Sequence, residues 1–260
     1  MNFNFHKKIF LSMTKELPSR EWARFLREYV RKKAKNQTNN RKLIEFHPKK
    51  LGGKKIEIRP LTTDIEVLID LLAFERYLPE LKLNKPKLIF DLGANIGITT
   101  AHLSFLYPTA KVIGVELESN NYQVAIRNTA FAGNRIEMIQ AGIWIKDGIV
   151  GIQGEKSDGF SVRDNVSCLN TAPSFTMETL SRRFGSLKMD FIKMDIEGAE
   201  EQIILSSEAS WLLSVDQILI EIHNQEIKEP IIKKMRKFGF EVSKSNRHWS
   251  GLAARRIAAC

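Results

Sequence analysis

The spacing of hydrophobic residues changes character along the chain. Near the start it is helical: Trp22, Phe25, Leu26, Tyr29 and Val30 share one face of a helix expected over 20–31, after Pro18 with Ser19 as cap. Arg20, Arg24, Arg27 and Arg31 fall on the opposite face. Residues 32–42 have no apolar pattern and read as a linker. A short strand is expected at Lys54–Arg59, then a helix from Asp64 through Tyr77 that buries Ile65, Leu68, Leu71, Leu72 and Phe74. From Lys87 the pattern becomes an alternation. Strands are expected at Lys87–Asp91, Lys111–Glu116, Arg135–Ala141, Met189–Asp195 and Val215–Ile222. Helices are expected at Gly97–Leu106, Ser119–Ala132, Glu178–Phe184, 198–207 and Ile227–Phe238, with closing strands at Phe240–Ser243 and Leu252–Arg256. Asp147-Gly148 and Asp158-Gly159 are hairpin signals in between. Repeated strand–helix–strand units predict an α/β fold, a mostly parallel doubly wound sheet with a closing antiparallel strand. Ligands of such sheets bind at the C-terminal strand ends.

Charge divides the chain. Residues 1–60 carry 17 Lys/Arg against 5 Glu, while residues 61–260 carry 23 Lys/Arg against 25 Asp/Glu. The net charge of +10 therefore belongs to a basic N-terminal arm at 1–50, and a nearly neutral body at 51–260 makes no global case for DNA or RNA. With 43% hydrophobic residues and no apolar run of membrane-spanning length, the chain reads as a globular protein. Cys168 and Cys260 suggest neither a metal site nor a disulfide framework, and the first residues lack a secretory pattern. A cytoplasmic protein is expected.

The strongest chemical signal is Phe90-Asp91-Leu-Gly93-Ala94-Asn95-Ile-Gly97. A buried strand ends in Asp91, a glycine turn follows, and a helix with free N–H groups opens at Gly97. Asn95 stands where a dinucleotide fingerprint needs glycine, and no Gly-Lys-Ser/Thr follows as in a phosphate loop. Asp91 would oppose a pyrophosphate and suits the ammonium end of an amino-acid cofactor. The next strand ends in Glu116, whose carboxylate can accept from both hydroxyls of a ribose. Together these describe a site for S-adenosylmethionine (SAM). Ala141, ending the third strand, is expected to pass the adenine.

Two further strand ends complete the pattern. Lys193-Met-Asp195-Ile-Glu197-Gly198-Ala-Glu200 closes one, with Lys193 and Asp195 on the same face; Glu221-Ile-His223-Asn224 closes the other. His223 is the first expected base for a hydroxyl proton and Asp195 the second. These blocks, with Arg59-Pro-Leu-Thr-Thr-Asp64 and Phe74-Glu-Arg-Tyr77 upstream, resemble FkbM-type SAM-dependent methyltransferases over about residues 56–245. The resemblance implies a Rossmann-like methyltransferase fold, SAM as cofactor, and O-methylation of a carbohydrate or other hydroxyl-bearing acceptor in polysaccharide or glycoconjugate pathways. Asp195 and His223-Asn224 sit where catechol-type methyltransferases place magnesium ligands, but His223 replaces an aspartate there, and no metal is assigned.

Weaker expectations concern Asn120 and Tyr122 near the adenine, and Trp144, Phe160 and Trp249 as an aromatic floor for a sugar. The alternatives are an RNA-directed or small-molecule methyltransferase, or a SAM-binding protein without catalysis. Acids around Asp195 disfavour an RNA acceptor. The arm's apolar face must be covered, by the protein's own body, by a second copy in a homodimer, or by an anionic membrane at residues 20–31. Every expected cofactor residue lies beyond Lys87, so removing residues 1–42 is expected to leave SAM binding intact.

Overall fold

The computed structural model describes residues 3–33, 42–153, 161–163, 170–185, 188–206 and 209–257. The expected turn at Asp158-Gly159, the aromatic Phe160, both cysteines and most of the expected linker lie outside them. The chain opens with two helices, α1 (Phe3–Glu16) and α2 (Ser19–Lys33), followed by a small antiparallel pair, β1 (Ile44–Phe46) and β2 (Ile56–Ile58). Helix α3 (Asp64–Ile69) runs into a wider π-type turn over Asp70–Phe74 and stops at Glu75, whose φ of 52° is left-handed. The alternating core then follows as β3 (Leu88–Leu92), α4 (Ile98–Leu106), β4 (Lys111–Glu116), α5 (Ser119–Thr129) and β5 (Ile136–Gln140). A second sheet contains β6 (Gly142–Ile143), β7 (Gly148–Gln153), β8 (Ser161–Arg163) and β9 (Thr171–Phe175). The chain finishes with α6 (Met177–Arg183), β10 (Met189–Met194), α7 (Glu200–Leu205), β11 (Val215–Glu221), α8 (Lys228–Lys237), β12 (Phe240–Lys244) and β13 (Gly251–Arg256).

The main sheet has the order β12-β13-β11-β10-β3-β4-β5. Its five strands from β11 to β5 are parallel, and β13 runs antiparallel between β11 and β12. This is the expected doubly wound sheet with its antiparallel closing strand. All five residues of β3 are buried, as a strand covered on both faces requires. The strand order reverses between β3 and β10, so a crevice opens at their C-terminal ends.

The arm is not separate from this body. Helix α1 was not expected, yet Ile9, Met13 and Leu17 recur every four residues and are buried together with Phe25 of α2. They share one hydrophobic cluster with Phe46, Leu51, Ile56, Ile65, Leu68 and Ile98, so the expected boundary at residue 50 runs through a continuous core. Phe25 stacks between Trp22 and Tyr29, with centroids 5.8 and 5.9 Å apart, and Phe5 stacks on Phe74 at 5.2 Å. Of the five apolar residues expected on α2, only Val30 remains exposed. Most of the face is covered by the protein's own body. Arg20, Arg24, Arg27 and Arg31 stay on the outer side, Arg24 donating to the Glu45 carbonyl and Arg31 pairing with Glu28. No helix among the described residues is long and apolar enough to cross a membrane.

Candidate active site

The glycine loop after β3 is shaped by what lies against it. Gly93 has φ +75°, and a Cβ there would sit 1.7 Å from the Asp195 carbonyl oxygen. Only glycine lets the loop and the end of β10 approach this closely. Gly97 also has φ +75°, and a Cβ on it would meet the Ala125 backbone at 2.9 Å, so it brings α4 and α5 together. The loop amides are engaged internally. Gly93 and Ala94 donate to the Val115 carbonyl, Asn95 to Glu116 Oε2, Ile96 to Asn95 Oδ1 and Gly97 to the Ala94 carbonyl. The amides expected to be free at the helix entrance are therefore not free through Gly97, and the loop is no anion cradle.

Lys193 organises the floor. Its Nζ donates to the Gly93 carbonyl at 2.6 Å and lies 3.4 Å from Asp91 Oδ1 and 3.6 Å from Asp195 Oδ2. Burial alone would lower its pKa, but Asp91 and Asp195 outweigh burial and hold it above the ordinary lysine value. Asp91 is fully buried, accepts from the Thr100 hydroxyl at 2.6 Å, and is raised by burial against the pull of Lys193. It does not line the cavity above. Asp91, expected to hold a cofactor ammonium directly or through water, has its carboxylate beneath the loop, which leaves no direct contact with the cavity. Gly97 likewise acts by packing and not by contact.

That cavity, about 330 Å³, spans the C-terminal ends of β3, β4, β10 and β11. Gly93, Ala94, Asn95, Glu116, Asn121 and Ala141 line one half. Glu116 is buried and held by three donors: the amides of Asn95 (2.7 Å) and Glu118 (2.9 Å), and Asn121 Nδ2 (3.3 Å). Burial raises its pKa. Asn120 and Tyr122 do not line the cavity; Asn121 between them does. Trp144 lies in the hydrophobic core.

The other half holds Asp195, Glu197 and Glu221 with Asp70 and His248, which sequence reasoning missed, and with Arg76 and Tyr77, which it placed in the Phe74-Glu-Arg-Tyr77 block without a role. The Tyr77 hydroxyl donates to Glu221 at 3.2 Å, and its ring stacks on His248 at 5.4 Å; His248 in turn stacks on Trp249 at 6.0 Å. Trp249 is 72% exposed at the mouth. The segment Thr63–Tyr77 forms a wall of the cavity, and its register with the strands was invisible without tertiary contacts. Its carboxylates feel the burial: Asp70 is pushed up to about 7 by desolvation, and Glu197 to about 7 by desolvation and the charge of Asp195. Burial pushes His248 down to about 4, so it is neutral at physiological pH.

His223 behaves in the opposite way. Burial would lower its pKa, but Glu200 (3.2 Å), Asp195 (3.5 Å) and Glu197 (3.2 Å) surround it and raise it to about 9. It is an imidazolium at neutral pH and has no lone pair to take a proton. The expectation of His223 as base is thus corrected by its own ion pairs. Asp195, Glu197 and His223 offer ligand atoms within 4.8 Å of one another, but a metal there would first have to displace that proton. Asn224 caps the following turn through the Glu226 amide.

The donor set suits SAM. Glu116 lines the cavity, as the expected ribose acceptor must, and Asp195, Glu197 and Glu221 give the cavity the excess of carboxylates that favours a cationic ligand. Asp195 Oδ1 is buried without a hydrogen-bond partner. Sheet order, glycine loop and strand-end acids together define the Rossmann-like, SAM-dependent methyltransferase class. Residues 91–242 match the model of the methyltransferase FkbM domain, and the chain belongs to that family. No curated protein matches the chain. Similar solved structures include precorrin-6y C5,15-methyltransferase of Geobacter metallireducens GS-15, at 12% identity over 68% of this chain and 84% of that one, TM-score 0.42. Fibrillarin of Aeropyrum pernix, in complex with natively bound SAM, has 16% identity over 74% of each chain, TM-score 0.43. The METTL16 methyltransferase domain has 13% identity over 78% and 74%, TM-score 0.47.

Proposed function

We propose that this methyltransferase transfers the methyl group of SAM to a hydroxyl of a carbohydrate or similar polyhydroxylated acceptor. One observation carries the reading: the cofactor half of the cavity continues into a half walled by Asp195, Glu197 and Glu221 and by the rings of Tyr77, His248 and Trp249. Carboxylates accept from neighbouring hydroxyls in pairs, and an exposed indole offers a flat face to C–H groups. The same carboxylates repel phosphate, which weighs against the RNA-directed alternative.

When bound, SAM supplies an electrophilic methyl group on a positively charged sulfur. The chain's task is to hold the acceptor oxygen about 3 Å from that carbon and receive its proton. Asp195, beside Lys193 and His223, is the group that orients the hydroxyl. Glu197 takes the proton: it lines the cavity, and a pKa of about 7 matches the working pH. Its backbone is held at φ 55°, a strained conformation for a non-glycine residue that fixes where the carboxylate points. His223 keeps both carboxylates in place as their charged partner.

Glu197→Gln should lower kcat roughly 10²–10⁴-fold with SAM affinity unchanged, and should remove the limb near pH 7 from the rate profile. A variant that folds, binds SAM and keeps the wild-type rate and profile would overturn the assignment.

A further inference from the structure

Arg59 and Asp64 lie upstream of the matched family domain, which begins at residue 91. They are nevertheless wired to the cofactor half of the cavity. Arg59 forks onto Asp64, with Nε 3.0 Å from Oδ2 and Nη2 2.7 Å from Oδ1, and its own amide donates to Oδ2 at 2.8 Å. Asp64 is fully buried, so the fork is rigid. Arg59 Nη2 also donates to Asn121 Oδ1 at 2.7 Å, and Asn121 Nδ2 donates to Glu116 Oε1 at 3.3 Å. An amide has one accepting oxygen and one donating nitrogen. Because Arg59 takes the oxygen, the nitrogen must face Glu116. Without Arg59 the amide oxygen loses its donor, and Asn121 is free to leave the rotamer that sets its nitrogen against Glu116, so the carboxylate loses a donor that fixes its plane.

We infer that Arg59 is a positioning residue for the cofactor's ribose: through Asn121 it fixes the plane of the Glu116 carboxylate that accepts both hydroxyls. The inference rests on Glu116 as the ribose acceptor. Asp64 and Arg59 thereby make the segment before the family domain part of the cofactor site.

The test compares S-adenosylhomocysteine with its 2′,3′-dideoxyribose analogue by calorimetry. The wild-type protein should prefer the hydroxylated ligand by about thirtyfold, as expected for hydrogen bonds to a charged group. Arg59→Gln should bind S-adenosylhomocysteine about tenfold more weakly and lose most of that preference, because its carboxylate no longer meets the hydroxyls. A purely structural role would weaken both ligands equally and leave the preference intact; that result, or unchanged affinity, overturns the inference. Should Arg59→Gln fail to fold, Asn121→Asp carries the same reading, since it keeps the Arg59 partner while placing a second carboxylate against Glu116. Absence of any preference in the wild-type protein would instead overturn the ribose assignment of Glu116, and this inference with it.

Discussion

Lys193→Met keeps most of the side chain's length and removes its charge. The lysine Nζ serves four oxygens: the carbonyls of Gly93 (2.6 Å) and Leu92 (3.4 Å), Asp91 Oδ1 (3.4 Å) and Asp195 Oδ2 (3.6 Å). Asp91 is fully buried and its Oδ1 has no hydrogen-bond partner, so Lys193 is its main compensation. Without it the aspartate is an unpaired buried charge or must take a proton. Removing one member of such a pair costs about 3–5 kcal/mol, a large share of the roughly 5–15 kcal/mol that holds a domain folded. At roughly 2–4 °C per kcal/mol, Tm should fall by about 6–20 °C. Urea denaturation followed by circular dichroism measures the loss. The double variant Lys193→Met/Asp91→Asn should recover at least half of it, since no buried charge remains unpaired. A single variant within about 1 kcal/mol of wild type, or a double variant as unstable as the two singles added, would refute the reasoning.

Two further expectations follow from burial. Phe25→Ala should destabilise by about 3–5 kcal/mol, because the ring is fully buried between Trp22 and Tyr29 in the core shared with the body; a melting temperature within a degree of wild type would mean that the arm does not dock. His102 is buried in α4 and pushed down to about 4 by desolvation. Below pH 6.5 the unfolded chain takes up this proton while the folded protein does not, so stability falls as pH drops from 6.5 toward 4. At pH 5 the cost is about 2 kcal/mol, and in His102→Gln the stability difference between pH 7 and pH 5 should shrink by that amount. An unchanged difference would place the acid sensitivity elsewhere.

The parallel core was legible because buried strands at 88–92, 111–116, 189–194 and 215–221 leave short apolar runs between helical segments. The strand-end acids were legible for the same reason: Glu116 and Asp195 each close such a run. What the sequence hid depends on contacts between distant segments. Asp91 looks like a ligand-facing acid until Lys193, a hundred residues on, is seen beneath the loop with it. His223 looks like a base until three carboxylates close around it. Tyr77 stood in a block that carries the family resemblance but had no role to go with it, and His248 carries no local signal; they meet because the Thr63–Tyr77 segment and the turn before β13 fold over the same strand ends. Helix α1 did leave a trace in the spacing of Ile9, Met13 and Leu17. The same packing corrects the expectation for the arm. It backs the Thr63–Asp70 wall of the cavity, and Lys32 pairs with Glu66 on that wall, so deleting residues 1–42 should weaken SAM binding and not spare it.

The most direct test of the account is mass spectrometry of methyl transfer from SAM, with pyranosides and oligosaccharides set against RNA oligonucleotides as acceptors. The acid-walled acceptor half predicts a methyl group on a carbohydrate hydroxyl, lost in Glu197→Gln, and no product on RNA. Methylated RNA with unmodified carbohydrates would contradict the account.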